Sequence, residues 1–176
     1  MSRRLTVIVF AVAALLALPA LAVAALFSSG NQGRLIPDAN NGGGVLSKIR
    51  INSDARIRDL NVRVRIAHPA DDDLNIYLVS PKGEFVELST DNGGNGDDYG
   101  AGANSCAGSF TVFNDESPVS IRNGAPPFLG SFRPQSPLSA VDGDKLGGTW
   151  RLQIFDDGTG QTGVLGCWQM KVKVGG

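Results

Sequence analysis

The run Leu60-Asn61-Val62-Arg63-Val64-Arg65-Ile66 constrains the fold more than any other stretch. Apolar and polar side chains alternate without a break, so an extended backbone sends the apolar groups to one face and the polar ones to the other. A helix would scatter them. The run predicts a half-buried strand over Ile57–Ile66 whose apolar face needs a second layer. After the polar break 67–73 the alternation resumes through Leu74, Ile76 and Leu78. Ser80-Pro81-Lys82-Gly83 then supplies a turn into Phe85, Val86 and Leu88, a hairpin pattern.

The same period recurs along the chain. Val45–Ile51 predicts a first strand, Phe110–Phe113 and Val119–Ile121 predict short ones, and Thr149–Phe155 and Gly163–Val174 predict two long ones. The last two read as a hairpin turned by 156–160, with Trp150, Leu152 and Ile154 facing inward against Trp168, Met170, Val172 and Val174. Twenty-three glycines and nine prolines, against 7% aromatic residues, supply the turns of an all-β fold. Pro126, Pro127, Pro134 and Pro137 make 125–138 an irregular crossover. No internal repeat is present.

Residues 1–24 read as a secretory signal peptide: Arg3 and Arg4, an apolar run from Leu5 to Leu18, Pro19, and small residues ending Ala22-Val23-Ala24. The competing reading is an uncleaved anchor over Leu5–Phe27. Ser2-Arg3-Arg4 begins like a twin-arginine leader, but Thr6 and Val7 do not continue it. Residues 25–44, rich in Gly, Asn and Ser, are expected to form a flexible leader, and 45–174 a single domain. The expected location is secreted, extracellular or in the cell envelope, with no membrane contact once the signal is cleaved. A net charge of −1 without a clustered basic surface argues against nucleic acid.

Export would place Cys106 and Cys167 in an oxidising compartment, where an isolated pair tends to close into a disulfide. The alternative is two unpaired small residues in or near the core. Strand phase puts Cys167 with Lys171 and Lys173, so a bridge would pin a loop to the outer side of the sheet. That loop, 89–109, has no pattern of its own and needs either the bridge or a bound ion to order it.

Acidic residues gather in the connections. Calcium takes several oxygen ligands from such loops, and Asp91, Asp97, Asp98 and Asp115 are the candidate ligands. Counting from Asp91, Gly93 and Gly102 occupy positions where an EF-hand needs carboxylates. Gly93-Gly94-Asn95-Gly96-Asp97-Asp98 fits the GGxGxD unit of calcium-binding β-rolls, though in one copy. The competing reading is that Asp and Gly are turn residues.

His68 is the single histidine, so zinc lacks its ligand set and a Ser-His-Asp enzyme would have to use this residue. No G-x-S-x-G or comparable nucleophile context accompanies it, and no catalytic residue is assigned. Trp150 and Trp168 suit either a sugar-stacking platform or the core, and their inward phase favours the core. Tyr77 and Tyr99 are expected at the surface.

The residues Ile57, Asp59, Asn61-Val62, Ile66, His68, Asp73-Leu74, Ile76, Leu78, Ser80-Pro81 and Gly83 follow a known order. Thr111 to Asp115, Phe132 to Leu138, Gly143, Gly148, Trp150 to Leu152, Asp156, Gly163 and Trp168 continue it. The chain resembles the P domain, or Homo B domain, of kexin and furin-like proprotein convertases over roughly Leu35 to Val174. The resemblance implies a jelly-roll β-sandwich of about eight strands, galactose-binding-like in architecture. It also implies a non-catalytic module that supports a subtilisin-like serine protease and its calcium or pH dependence. The expected partner is a separately encoded subtilisin-like protease or another secreted hydrolase. Asn114 stands where the family usually has an acidic residue before Asp115. The alternative function is a surface adhesin or carbohydrate-binding module on the same sandwich.

Overall fold

A computed structural model of the chain describes residues 23–39, 44–102 and 104–175. Residues 1–22 of the stretch read as a signal peptide, 1–24, and 40–43 of the expected leader lie outside them, whereas Val23 and Ala24 are in the first strand. Among the described residues no helix is long and apolar enough to cross a membrane.

Among the described residues ten strands form two antiparallel-dominated sheets: β1 (Val23–Ser28), β2 (Arg34–Ile36), β3 (Gly44–Ile51), β4 (Arg56–Ala67), β5 (Leu74–Val79), β6 (Phe85–Thr90), β7 (Thr111–Phe113), β8 (Gly130–Phe132), β9 (Gly148–Asp156) and β10 (Gly163–Gly175). One sheet runs β1-β10-β4-β7-β8 with β2 also on β10, and the other runs β3-β9-β5-β6. Only β7 and β8 pair in parallel. The fold is an all-β sandwich, as the alternating runs require.

Between the layers the apolar phases meet. Leu60, Val62, Val64 and Ile66 of β4 and Trp168, Met170 and Val172 of β10 face Leu74, Ile76 and Leu78 of β5 and Trp150, Leu152 and Ile154 of β9, all essentially buried. Each large apolar side chain removed from water stabilises the fold by about 1.5–3 kcal/mol, so this layer supplies the main driving force. Both tryptophans are in it. Trp150 Nε1 donates to the Leu146 carbonyl oxygen at 2.9 Å and Trp168 Nε1 to Ser47 Oγ at 2.9 Å, so their one polar atom is satisfied. Two irregularities on the β10–β4 ladder, one between Leu165 and Cys167 and one between Lys173 and Val174, adjust the phase along these long strands. The first lets Leu165 and Trp168, three apart, both point inward.

Four expectations change. Phe155 and Gly163 do not bound a hairpin: β9 pairs β3 and β5, whereas β10 pairs β1, β2 and β4, so the 157–162 connection crosses from one sheet to the other. Alternation reports a buried face and is silent about which neighbour lies alongside. The stretch read as a flexible leader contributes β2 and, from Ala25 on, most of β1, both laid against β10, with Ile36 fully buried. Val119–Ile121 is a single bridge followed by a 3-10 turn, Ile121–Asn123, rather than a strand. Tyr99 is not at the surface but fully buried, stacked 4.7 Å from Phe128 with its hydroxyl 2.9 Å from Ser89 Oγ.

Candidate functional site

Three connections gather at one end of the sandwich: 68–73 between β4 and β5, 91–110 between β6 and β7, and 157–162 between β9 and β10. The 68–73 connection carries a 3-10 turn, Asp71–Asp73. The glycine-rich segment folds directly over it. Asp71 N–H donates to the Gly96 carbonyl oxygen at 2.9 Å and Asp72 N–H to that of Gly94 at 3.4 Å. Contact is close enough to require glycine at 93, where φ is +100° and a Cβ would stand 2.9 Å from the Asp71 Cβ and 2.9 Å from Pro126 Cγ.

Asp71 is the central group. It is fully buried, and neither carboxyl oxygen has a hydrogen-bond partner. Burial, followed by the neighbouring Asp98 and Asp97 carboxylates, pushes its carboxyl up to about 8. The Asp98 backbone amide pulls the other way, though that N–H donates to the His68 carbonyl oxygen at 3.1 Å. Asp73 is also raised, by burial and then by Asp72 and Asp156. A hard cation that displaces the Asp71 proton would satisfy oxygens that are otherwise orphaned at about 1–3 kcal/mol each.

The sequence-assigned ligands fall in two places. Asp97 and Asp98 lie beside Asp71, and one Asp98 oxygen accepts from His68 N–H at 3.0 Å. Asp91 is exposed at the start of the same segment, with a left-handed backbone (φ 54°) that aspartate tolerates. Asp115 is elsewhere: its two oxygens accept from the amides of Leu138 and Ser139 at 2.9 and 2.8 Å, capping the 3-10 turn Leu138–Val141, in the neighbourhood of Asp142. Among the described residues no three His, Cys, Asp or Glu side chains group as a metal-ligand set. The two unpartnered Asp71 oxygens are donors of the kind a hard cation takes. Sequence reading gave Asp71, within the polar break 67–73, no role of its own, because nothing local distinguishes a buried aspartate from a solvated one.

The segment 91–110 has its own clamps. Tyr99 bridges Ile66 with paired backbone bonds of 3.0 and 2.9 Å, extending the β4 edge. Cys106 and Cys167 form a disulfide, Cα atoms 5.0 Å apart, on the outer side of β10 as strand phase requires. Cys167 is nonetheless fully buried, because the loop covers it. Between these, the Arg65 guanidinium donates to the carbonyl oxygens of Ser105 (3.1 Å) and Ala107, and a Cβ at Gly108 would stand 2.8 Å from Arg65 Nη1.

His68 is sealed in the same end. Nε2 lies 3.1 Å from Asp156 Oδ2 and Nδ1 2.6 Å from the Ala70 carbonyl oxygen, with no side-chain exposure for His68 or Asp156. Neither ring nitrogen is left to face a serine hydroxyl.

A family model described as the proprotein convertase P-domain matches residues 57–172, from the second residue of β4 to near the end of β10. The chain belongs to the proprotein convertase P-domain family. Its P-domain fold is also found in the crystal structure of the Aeromonas sobria serine protease in complex with the chaperone, at TM-score 0.57 and 20% identity over 89% of this chain. The serine protease of Aeromonas sobria crystallised by itself gives TM-score 0.55 and 20% identity over 90% of this chain. This P domain spans 27% and 28% of those chains, little more than a quarter of their length. No curated protein matches the sequence.

Proposed function

We infer that this chain is an exported, non-catalytic P-domain module that stabilises a subtilisin-like serine endopeptidase or another secreted hydrolase, and that it binds calcium at its acidic end. The observation that carries the accessory reading is the commitment of the single histidine: His68 is buried, with both ring nitrogens turned on Ala70 and Asp156. A chain whose general base is locked in the core has binding rather than acyl transfer to offer. Family membership supports the link to proteolysis.

The calcium reading rests on Asp71, with Asp97 and Asp98 beside it and Asp91 at the rim. Asp115 is left out of the site because backbone amides already engage its carboxylate.

The test adds the purified chain to a subtilase that lacks a P domain and follows the protease's thermal inactivation. A lengthened half-life is expected, and no change at saturating chain overturns the accessory role. Labelling of the chain by an active-serine probe would overturn the non-catalytic reading. For the cation, melting in calcium and in chelator should differ by about 2.7 kcal/mol at a hundredfold excess over Kd, roughly 5–10 °C. Equal melting temperatures reject the calcium site.

A further inference from the structure

The outer face of the β3-β9-β5-β6 sheet carries three aromatic side chains that the core does not use. Phe85 is 65% exposed and Phe155 44%, and Tyr77 lies between them, half-buried. Ring centroids are 6.5 Å apart for Tyr77 and Phe85 and 6.3 Å apart for Tyr77 and Phe155. Register explains the file. Tyr77 stands opposite Gln153 on β9 and Glu87 on β6, Asn75 opposite Phe155, and Val79 opposite Phe85. The rings therefore run diagonally across three strands, with Gln153 and Glu87 opposite Tyr77 and Arg151 opposite Val79.

Two of the polar neighbours are held in place. Asn75 Nδ2 donates to Asp157 Oδ2 at 2.8 Å, and Gln135 Nε2 to Glu87 Oε1 at 3.0 Å. Asn75, Tyr77, Phe85, Gln153 and Phe155 line an open trough of about 520 Å³, and none of the five is charged. A second depression of about 220 Å³ shares Gln153 and Phe155 and continues onto Val45 and Leu46 of β3. The combined groove crosses all four strands, about 14 Å at the usual strand spacing.

We propose that this face binds a neutral polysaccharide, its sugar rings lying against Phe155, Tyr77 and Phe85 and its hydroxyls meeting the amides of Asn75 and Gln153. A sugar ring offers an apolar C–H face and a rim of hydroxyls. A file of exposed rings interrupted by amides matches both, and the Glu87 and Asp157 carboxylates bordering the uncharged trough disfavour an anionic chain. A docked protein is the poorer match: it needs about 800 Å² per partner around an apolar centre, whereas polar side chains stand within one register position of every ring here. The site does not depend on the accessory reading or on the acidic end.

Affinity electrophoresis of the full chain in native gels containing hydroxyethyl cellulose, arabinoxylan or galactomannan tests the proposal. Retardation by at least one polysaccharide is expected, with affinity lowered about tenfold by Phe85→Ala or Phe155→Ala and retained by Phe155→Trp. Both phenylalanines are exposed, so unchanged melting temperatures should show that the variants fold. Normal mobility in all three gels overturns the proposal, and so does retardation that both alanine variants leave intact. Normal mobility together with weakened docking of those variants to a subtilase would assign the face to a protein partner instead.

Discussion

At the scale of single residues, one buried carboxyl sets the electrostatics of the acidic end. Asp71 titrates near 8 in the folded chain, well above its ordinary value of 3.8, so between those values the folded state holds more protons than the unfolded one. Stability of the metal-free protein should therefore fall as pH rises through this window, by at most about 1.4 kcal/mol per pH unit. Chemical denaturation in chelator at pH 5, 6 and 7 measures it. Asp71→Asn should flatten the profile, raise stability at pH 8 and abolish any gain on adding calcium; a profile unchanged by the substitution would show that another group carries it. Gly93→Ala should destabilise by several kcal/mol, since the new Cβ meets Asp71, Pro126 and Phe128 at a positive φ, and melting temperature reads that loss. None of this was legible from composition. Asp71, Asp72 and Asp73 are equivalent letters, and only the lid formed by 93–98 makes the first of them different.

At the scale of elements, the long 91–110 connection is ordered by three devices from different parts of the chain: the Tyr99–Ile66 bridge, the Arg65 guanidinium and the Cys106–Cys167 bond. The disulfide was readable because a lone cysteine pair in a chain expected to be exported tends to close. Arg65 and Tyr99 were not: the alternation of β4 marks Arg65 as outward, and it is the returning loop that buries it. Replacing both cysteines with serine should lower stability by up to ~4 kcal/mol for a separation of 61 residues, measured by denaturant midpoint against wild type. A midpoint shift near zero would mean the other two clamps suffice. β1 and β2 give a second test. Their sequences lack alternation strong enough to predict strands, yet they cover β10, which would otherwise present an open edge over 13 residues. A chain beginning at residue 30, which loses β1 and keeps β2, should melt lower and aggregate more readily on heating, as light scattering would report.

At the scale of the whole molecule, the two sheets separate roles. Their inner faces make the core, one end collects the carboxylates and His68, and the outer face of the four-stranded sheet carries the aromatic file. His68→Ala should cost about 3–5 kcal/mol by leaving the buried Asp156 without its partner, and calorimetry against the unsubstituted chain checks it. The sequence by itself determined the layer count and the buried face of each long strand, because period-two alternation and turn residues are local signals that survive in one dimension, and the order of its motif residues carried the family. Only the tertiary structure decided that β9 and β10 lie in different sheets, that Tyr99 is core and Asp71 unpartnered, and that Asp115 caps a distant turn. Burial and neighbourhood depend on which segments return to cover a residue, and that is a property of the closed chain, carried by no residue alone.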